Sequence, residues 1–174
     1  MLKKDAPDPI EITPEVRQAF AGLKEKMTSA PVLTMPKVED SLVLETDASD
    51  SAIGAVLLVR ASDGLEKPAA YLSRSLTSAE RNYSATEREA LAVVWATKQT
   101  RPYLERKSFV ICTDHVALRW MFSTATENPR VCRWRLALAE FHFVVEHRPR
   151  RSHVAPDSLS RLPARARRWQ RMPS

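Results

Sequence analysis

The sequence predicts a mixed α/β sheet with helices on its faces, an expectation that rests on three observations. Three short apolar runs follow one another closely between residues 42 and 73, the pattern of an antiparallel meander. From Ser84 the apolar period becomes helical, and the apolar run "FVICT" at 109–113 then returns to strand. Two further helical stretches, a last strand and a short terminal helix complete the order βββαβααβα, which places helices against a sheet within one domain.

Each element has its own signal. Residues 1–12 are charged and proline-rich and read as a linker. Thr13 then offers an N-cap with Pro14 at the first helical position, and Val16, Phe20, Leu23 and Met27 follow at helical spacing before Pro31. Leu42 to Asp47 reads as the first strand and Ile53 to Arg60 as the second. "SDG" at 62–64 turns the chain into a third strand through Ala69 to Ser73. Ser84 with Glu87 forms a capping-box pattern at the head of one long buried helix running through "SATEREALAVVWATKQTRPYL". Phe109 to Thr113 is a fourth strand, "HVALRWMF" a short helix, "RVCRWRLALAEF" an amphipathic helix and Phe141 to His147 the fifth strand. Pro156 to Leu162 forms the terminal helix, with Pro156 suited to its first turn.

Composition narrows the function. With 174 residues, 44% of them hydrophobic and 28% charged, the chain has the material for one substantial core and is neither disordered nor fibrous. The net charge of +6 is uneven: residues 129–174 carry 11 arginines against 3 acids, whereas the middle of the chain is slightly acidic. A basic C-terminal side next to acids in the centre fits a metalloenzyme that binds a polyanion. Cys112 and Cys132 lie far apart and outside zinc-ligand spacing, so both are expected as reduced, buried thiols. The longest apolar run, 52–59, is too short to cross a bilayer, and no signal-peptide core follows the first residues, so an intracellular protein without a membrane partner is expected.

The strongest chemical signal is that two strands end alike, in Thr-Asp: "VLETDAS" places Asp47 and "VICTDHV" places Asp114 at the end of an apolar run. A single such Asp is ordinary turn or cap chemistry. A glutamate inside the mostly apolar long helix and Asp157 at the start of the terminal helix bring the candidate acids to four. Convergence of these carboxylates requires cations to offset their repulsion, and all-oxygen clusters of this kind suit Mg²⁺ or Mn²⁺. Periodicity leaves the choice between Glu87 and Glu89 open. Glu87 is explained by the capping box, and the small neighbours Ala92, Val93 and Ala96 would let Glu89 approach the sheet closely.

The segments "LETDASDSAIGAVL", "AERNYSATEREALAVVWA", "TDHVALRWMF", "RWRLALAEFHFVVEHRP" and "PDSLSR" resemble the ribonuclease H domain that follows reverse transcriptase in gypsy-type LTR retrotransposon polyproteins. "TPEVRQAFAGLKEKMTSAPVL" resembles the end of the polymerase region that leads into it, so the resemblance runs from about Thr13 to Leu162. It implies a ribonuclease H-like fold: a five-stranded mixed sheet, three antiparallel strands and then two more, with helices on both faces. It also implies a helical remnant of the reverse transcriptase connection at 13–35 and the ribonuclease H-like domain at 36–162, to which composition adds the linker at 1–12 and a basic, disordered tail at 163–174.

The same resemblance implies that Asp47, Glu89, Asp114 and Asp157 bind two Mg²⁺ ions, with Mn²⁺ as a substitute, and hydrolyse the RNA strand of an RNA/DNA hybrid endonucleolytically. His147 stands where related nucleases place a mobile histidine that assists proton transfer or product release; the plain alternative is a surface residue. Arg130, Arg133, Arg135 and Arg148 are candidate phosphate contacts. No YxDD-like polymerase motif occurs, so the implied partner is the reverse transcriptase polymerase domain of a parent polyprotein, where RNA-directed DNA polymerase (nucleotidyltransferase) activity would reside. Two other readings stand beside this one. An integrase-type nuclease would use Glu146 in place of Glu89, although Glu146 falls on a predicted strand. A remnant domain would keep the fold, bind nucleic acid passively and lack catalysis, a reading that the departure "VAPDSLSR", with Pro156 directly before Asp157, keeps open.

Overall fold

The computed structural model describes residues 12–28, 33–114, 118, 128–148 and 154–161. The five strands are Ser41–Ala48 (β1), Ala52–Arg60 (β2), Glu66–Ser75 (β3), Ser108–Thr113 (β4) and His142–His147 (β5). They form one sheet in the order β3-β2-β1-β4-β5. β1, β2 and β3 pair antiparallel, whereas β4 lies parallel to β1 and β5 parallel to β4. This is the mixed sheet expected from the sequence.

The helices follow the local signals with four differences. Pro14–Thr28 (α1) starts at the expected cap, where Thr13 Oγ1 accepts from the Val16 N–H at 3.4 Å. A short helix at Ser78–Arg81 (α2) was not expected, although Thr77 and Glu80 form a capping box of the same kind as the next one. The predicted single long helix is two: Ala85–Gln99 (α3) and Arg101–Leu104 (α4). Pro102 supplies no N–H for the Lys98 carbonyl of a continuing helix, and the Thr100 N–H and hydroxyl both close on the Ala96 carbonyl, at 2.9 and 2.8 Å. Pro129–Leu138 (α5) ends before Phe141, and Val154–Ser160 (α6) starts two residues ahead of Pro156. The third strand also begins earlier than its apolar run. Pro68 sits where the β2 pairing shifts register between Leu57 and Leu58, a break that tolerates its missing donor. The helix expected over "HVALRWMF" and the arginine-rich tail lie outside the described residues, apart from the buried Leu118.

Strand alternation divides the core between the two faces. Leu42 and Leu44 of β1, Ala55, Leu57 and Val59 of β2, and Phe109 and Ile111 of β4 pack with Ala90, Val93, Val94 and Ala96 of α3. Trp95 and Trp134 pack against this cluster, in keeping with a core role. The intervening positions face the other side, where α6 sits on Gly54. A Cβ at Gly54 would lie 2.7 Å from Leu159 Cβ and 2.8 Å from both Pro156 O and Ser160 N. Two of those atoms are backbone and cannot rotate away. Gly54→Ala is therefore expected to push α6 off the sheet and to cost about 1–3 kcal/mol, read as a lower denaturant midpoint at unchanged m-value.

Cys112 and Cys132 are both free thiols; Cys112 is buried, whereas Cys132 is only half-buried. Burial pushes the Cys112 thiol up to about 11, which keeps it protonated and inert at neutral pH. No helix among the described residues is long and apolar enough to cross a membrane.

Candidate active site

The parallel pairing of β1 and β4 accounts for the two aspartates. Glu45 lies opposite Cys112, and two residues further along each strand come Asp47 and Asp114. Because both strands run the same way, their identical Thr-Asp endings fall side by side at one edge of the sheet. α3 crosses this edge with Ala92, Val93 and Ala96 fully buried, and these small side chains bring Glu89 down to the strand ends. Glu89 Oε1 accepts the Ala48 N–H at 3.2 Å. One carboxylate oxygen from each of Asp47, Glu89 and Asp114 lies within 4.8 Å of the other two. Asp47 is 2% exposed and Glu89 7%.

Glu87, the alternative to Glu89, is committed elsewhere. Its Oε2 accepts the Ser84 N–H at 2.9 Å, its own N–H donates to Ser84 Oγ at 3.2 Å, and Oε1 accepts from Arg130 Nη1 at 2.7 Å. The Ser84 backbone bond is the main reason its carboxyl titrates below the usual range. Glu146 is exposed on β5, opposite Cys112, and stands outside the carboxylate group.

Asp157 on α6 does not join the three clustered acids. Its Oδ1 accepts from Arg161 Nε at 2.7 Å, one helical turn away. The helix is nonetheless tied to the cluster. The buried Ser160 hydroxyl bonds to Asp47 Oδ2, Ser49 Oγ donates to the Ser160 carbonyl, and Ser73 Oγ donates to the Leu159 carbonyl at 2.8 Å. The bond to Asp157 raises the Arg161 pKa further, and the charges of Asp47 and Asp114 add to the effect. An open cavity of about 360 Å³ lies beside the acids, lined by Ala48, Ser49, Asp50, Ala85, Arg88, Glu89, Asp114 and Arg161.

Of the other expected site residues, His147 is exposed at the end of β5 and paired in register with Thr113, the residue before Asp114. Arg130 is half-buried, with its guanidinium carbon 3.9 Å from the Tyr83 ring centroid. Arg133 is exposed and Arg135 half-buried on α5. Arg148 turns onto the face opposite α3. There it pairs with Glu45 and with both oxygens of Glu66, at 2.8 and 2.9 Å, while Arg60 also holds Glu66. Sequence reasoning missed Gly54, Ser160, Arg161 and Arg88. "PDSLSR" contained two of them, and the signal was the i+3 and i+4 spacing from Asp157 that stacks them on one helix face.

A β3-β2-β1-β4-β5 sheet with carboxylates gathered at the ends of its two central parallel strands defines a ribonuclease H-like domain. The family model described as the RNase H-like domain found in reverse transcriptase matches residues 37–141. The chain belongs to that family. The retrovirus-related Pol polyprotein from transposon 297 of Drosophila melanogaster is 40% identical over 148 residues, covering 85% of this chain and 14% of that protein. This chain thus corresponds to a small part of a much longer relative. Among solved structures, the foamy viral protease-reverse transcriptase in complex with an RNA/DNA hybrid superposes with a TM-score of 0.59 at 17% identity, covering 88% of this chain and 21% of that one. RNase H1 from the archaeon Halobacterium salinarum superposes with a TM-score of 0.52 at 16% identity, covering 68% and 93%.

Proposed function

We propose that this domain hydrolyses the RNA strand of RNA/DNA hybrids in a metal-dependent reaction, as the ribonuclease H part of a retrotransposon reverse transcriptase. The observation that carries the reading is the convergence of Asp47, Glu89 and Asp114 at one sheet edge beside an open cavity. The donor set fits a hard divalent cation, since it is all carboxylate oxygen and two of its members are buried, where unneutralised charge would be costly. Two bound Mg²⁺ ions, or Mn²⁺ in their place, would supply an activated water and charge stabilisation for the leaving oxygen.

The protein groups have distinct tasks in this scheme. The Ala48 N–H and the Ser160 hydroxyl hold the Glu89 and Asp47 carboxylates in place. Asp114 faces the cavity from the end of β4 and Asp157 is the fourth, outer carboxylate. His147, exposed beside Thr113, hands a proton to the departing 3′-oxygen or assists product release. Arg130, Arg133 and Arg135 on α5 are phosphate contacts that orient the hybrid. α1 precedes the matched family region and exposes Val16, Phe20 and Leu23 along one stripe, which supports its assignment to the polymerase connection, packed against the preceding domain of a longer polyprotein.

The decisive experiment is cleavage of a labelled RNA strand in an RNA/DNA hybrid with and without Mg²⁺, beside single-stranded RNA and an Asp114→Asn variant. Cleavage confined to the hybrid, dependent on Mg²⁺ and lost in the variant is the expected result. Hybrid binding without cleavage under all conditions would instead establish a passive binding domain.

A further inference from the structure

We infer that Arg161 is the built-in counter-ion of the acidic site, holding Asp157 outside the Asp47–Glu89–Asp114 group until a divalent cation displaces it. This rests on the metal-dependent reading above and adds a control on metal affinity that the four acids alone do not contain.

The geometry assigns the role. Arg161 Nε donates to Asp157 Oδ1 at 2.7 Å, so the guanidinium occupies one oxygen of the acid that stands apart from the other three. Arg161 also lines the cavity shared by Glu89 and Asp114, which places its charge near them. The neighbouring Arg88 is already committed to Asp50 and the Ser49 carbonyl at the cavity rim. The Arg161 side chain is 54% exposed, so the surrounding structure covers it only in part. An exposed ion pair one turn apart on a helix is weak and opens readily. Meanwhile α6 itself is anchored by Ser160, by Leu159 and by the close fit on Gly54, so the side chain of Asp157 can change partner without moving its helix.

A monovalent cation on a flexible side chain thus offsets part of the repulsion among carboxylates in the metal-free protein. It also competes for the position that a divalent ion takes up. Removing Arg161 makes the site more negative and releases Asp157, and both effects favour metal.

The test is calorimetric titration of the full chain with Mn²⁺ and with Mg²⁺, comparing the unaltered protein with Arg161→Gln and Arg161→Lys. Arg161→Gln is expected to bind about three- to tenfold more tightly, with the gain shrinking as ionic strength rises, while Arg161→Lys, which keeps the charge, stays close to the unaltered protein. In an Asp157→Asn background most of the gain from Arg161→Gln should vanish, because the released ligand is no longer there. Unchanged or weaker affinity in Arg161→Gln, with circular dichroism showing a native fold, overturns the counter-ion role and leaves the metal-dependent reading standing. Absence of divalent binding in the unaltered protein removes that reading, and this inference with it.

Discussion

Glu89→Gln is expected to lower hybrid cleavage by at least about 10²–10³-fold while leaving the domain folded. Gln keeps an amide oxygen to accept the Ala48 N–H that Glu89 Oε1 accepts at 3.2 Å, so the helix-to-strand contact survives. Only the charge is lost, and with it one ligand of the group formed with Asp47 and Asp114. Thermal melting without metal should rise slightly, since a buried carboxylate beside two others is removed. Glu146→Gln is the matched control. Glu146 is exposed on β5 and outside the cluster, so its variant should cleave at the normal rate. The reverse outcome, with Glu146 essential and Glu89 dispensable, would point to an integrase-like use of the fold and sink the assignment of Glu89.

Arg148→Ala is expected to destabilise the fold by about 3 kcal/mol, measured by chemical denaturation. The side chain of Glu45 is only 6% exposed, and Arg148 pairs with it while also bridging to Glu66 on β3. Removing the guanidinium takes away the cation paired with a buried carboxylate, which costs far more than the pair contributes when intact. Hydrogen bonding from Arg148 is the main reason the Glu66 carboxyl titrates below its ordinary value of 4.5. A depressed carboxyl stabilises the folded state fully above that ordinary value and loses its contribution as pH falls through the lower, folded one. The unaltered protein should therefore lose stability below about pH 4.5, and Arg148→Ala should lose less over the same range. A phosphate contact would behave differently. Stability would be unchanged, and the salt dependence of hybrid binding would weaken by about one unit of slope.

Much of the architecture was legible in local signals. The Thr13-Pro14 start, the Ser84–Glu87 capping box and the apolar runs that became strands are properties of neighbouring residues, and each appears where its chemistry placed it. The split of the long helix at Thr100 is legible as well, because Pro102 interrupts the backbone bonding that helical periodicity alone would continue. The existence of a site was also readable, because two strands ending in Thr-Asp make a coincidence that turn chemistry alone does not explain.

Residue pattern by itself determined the strands, most of the helices and the list of acids available to hold a cation. Only the tertiary structure decided which acids meet. Asp47 and Asp114 are 67 positions apart, and they adjoin because β1 and β4 pair in parallel, a long-range choice. Glu89 prevails over Glu87 because the cap engages Glu87, while the small residues after Glu89 press it towards the sheet. Arg148 and Gly54 acquire their surroundings from strands and helices distant in the chain, and no periodicity in one segment specifies the charge or the backbone atom that another segment will bring beside it.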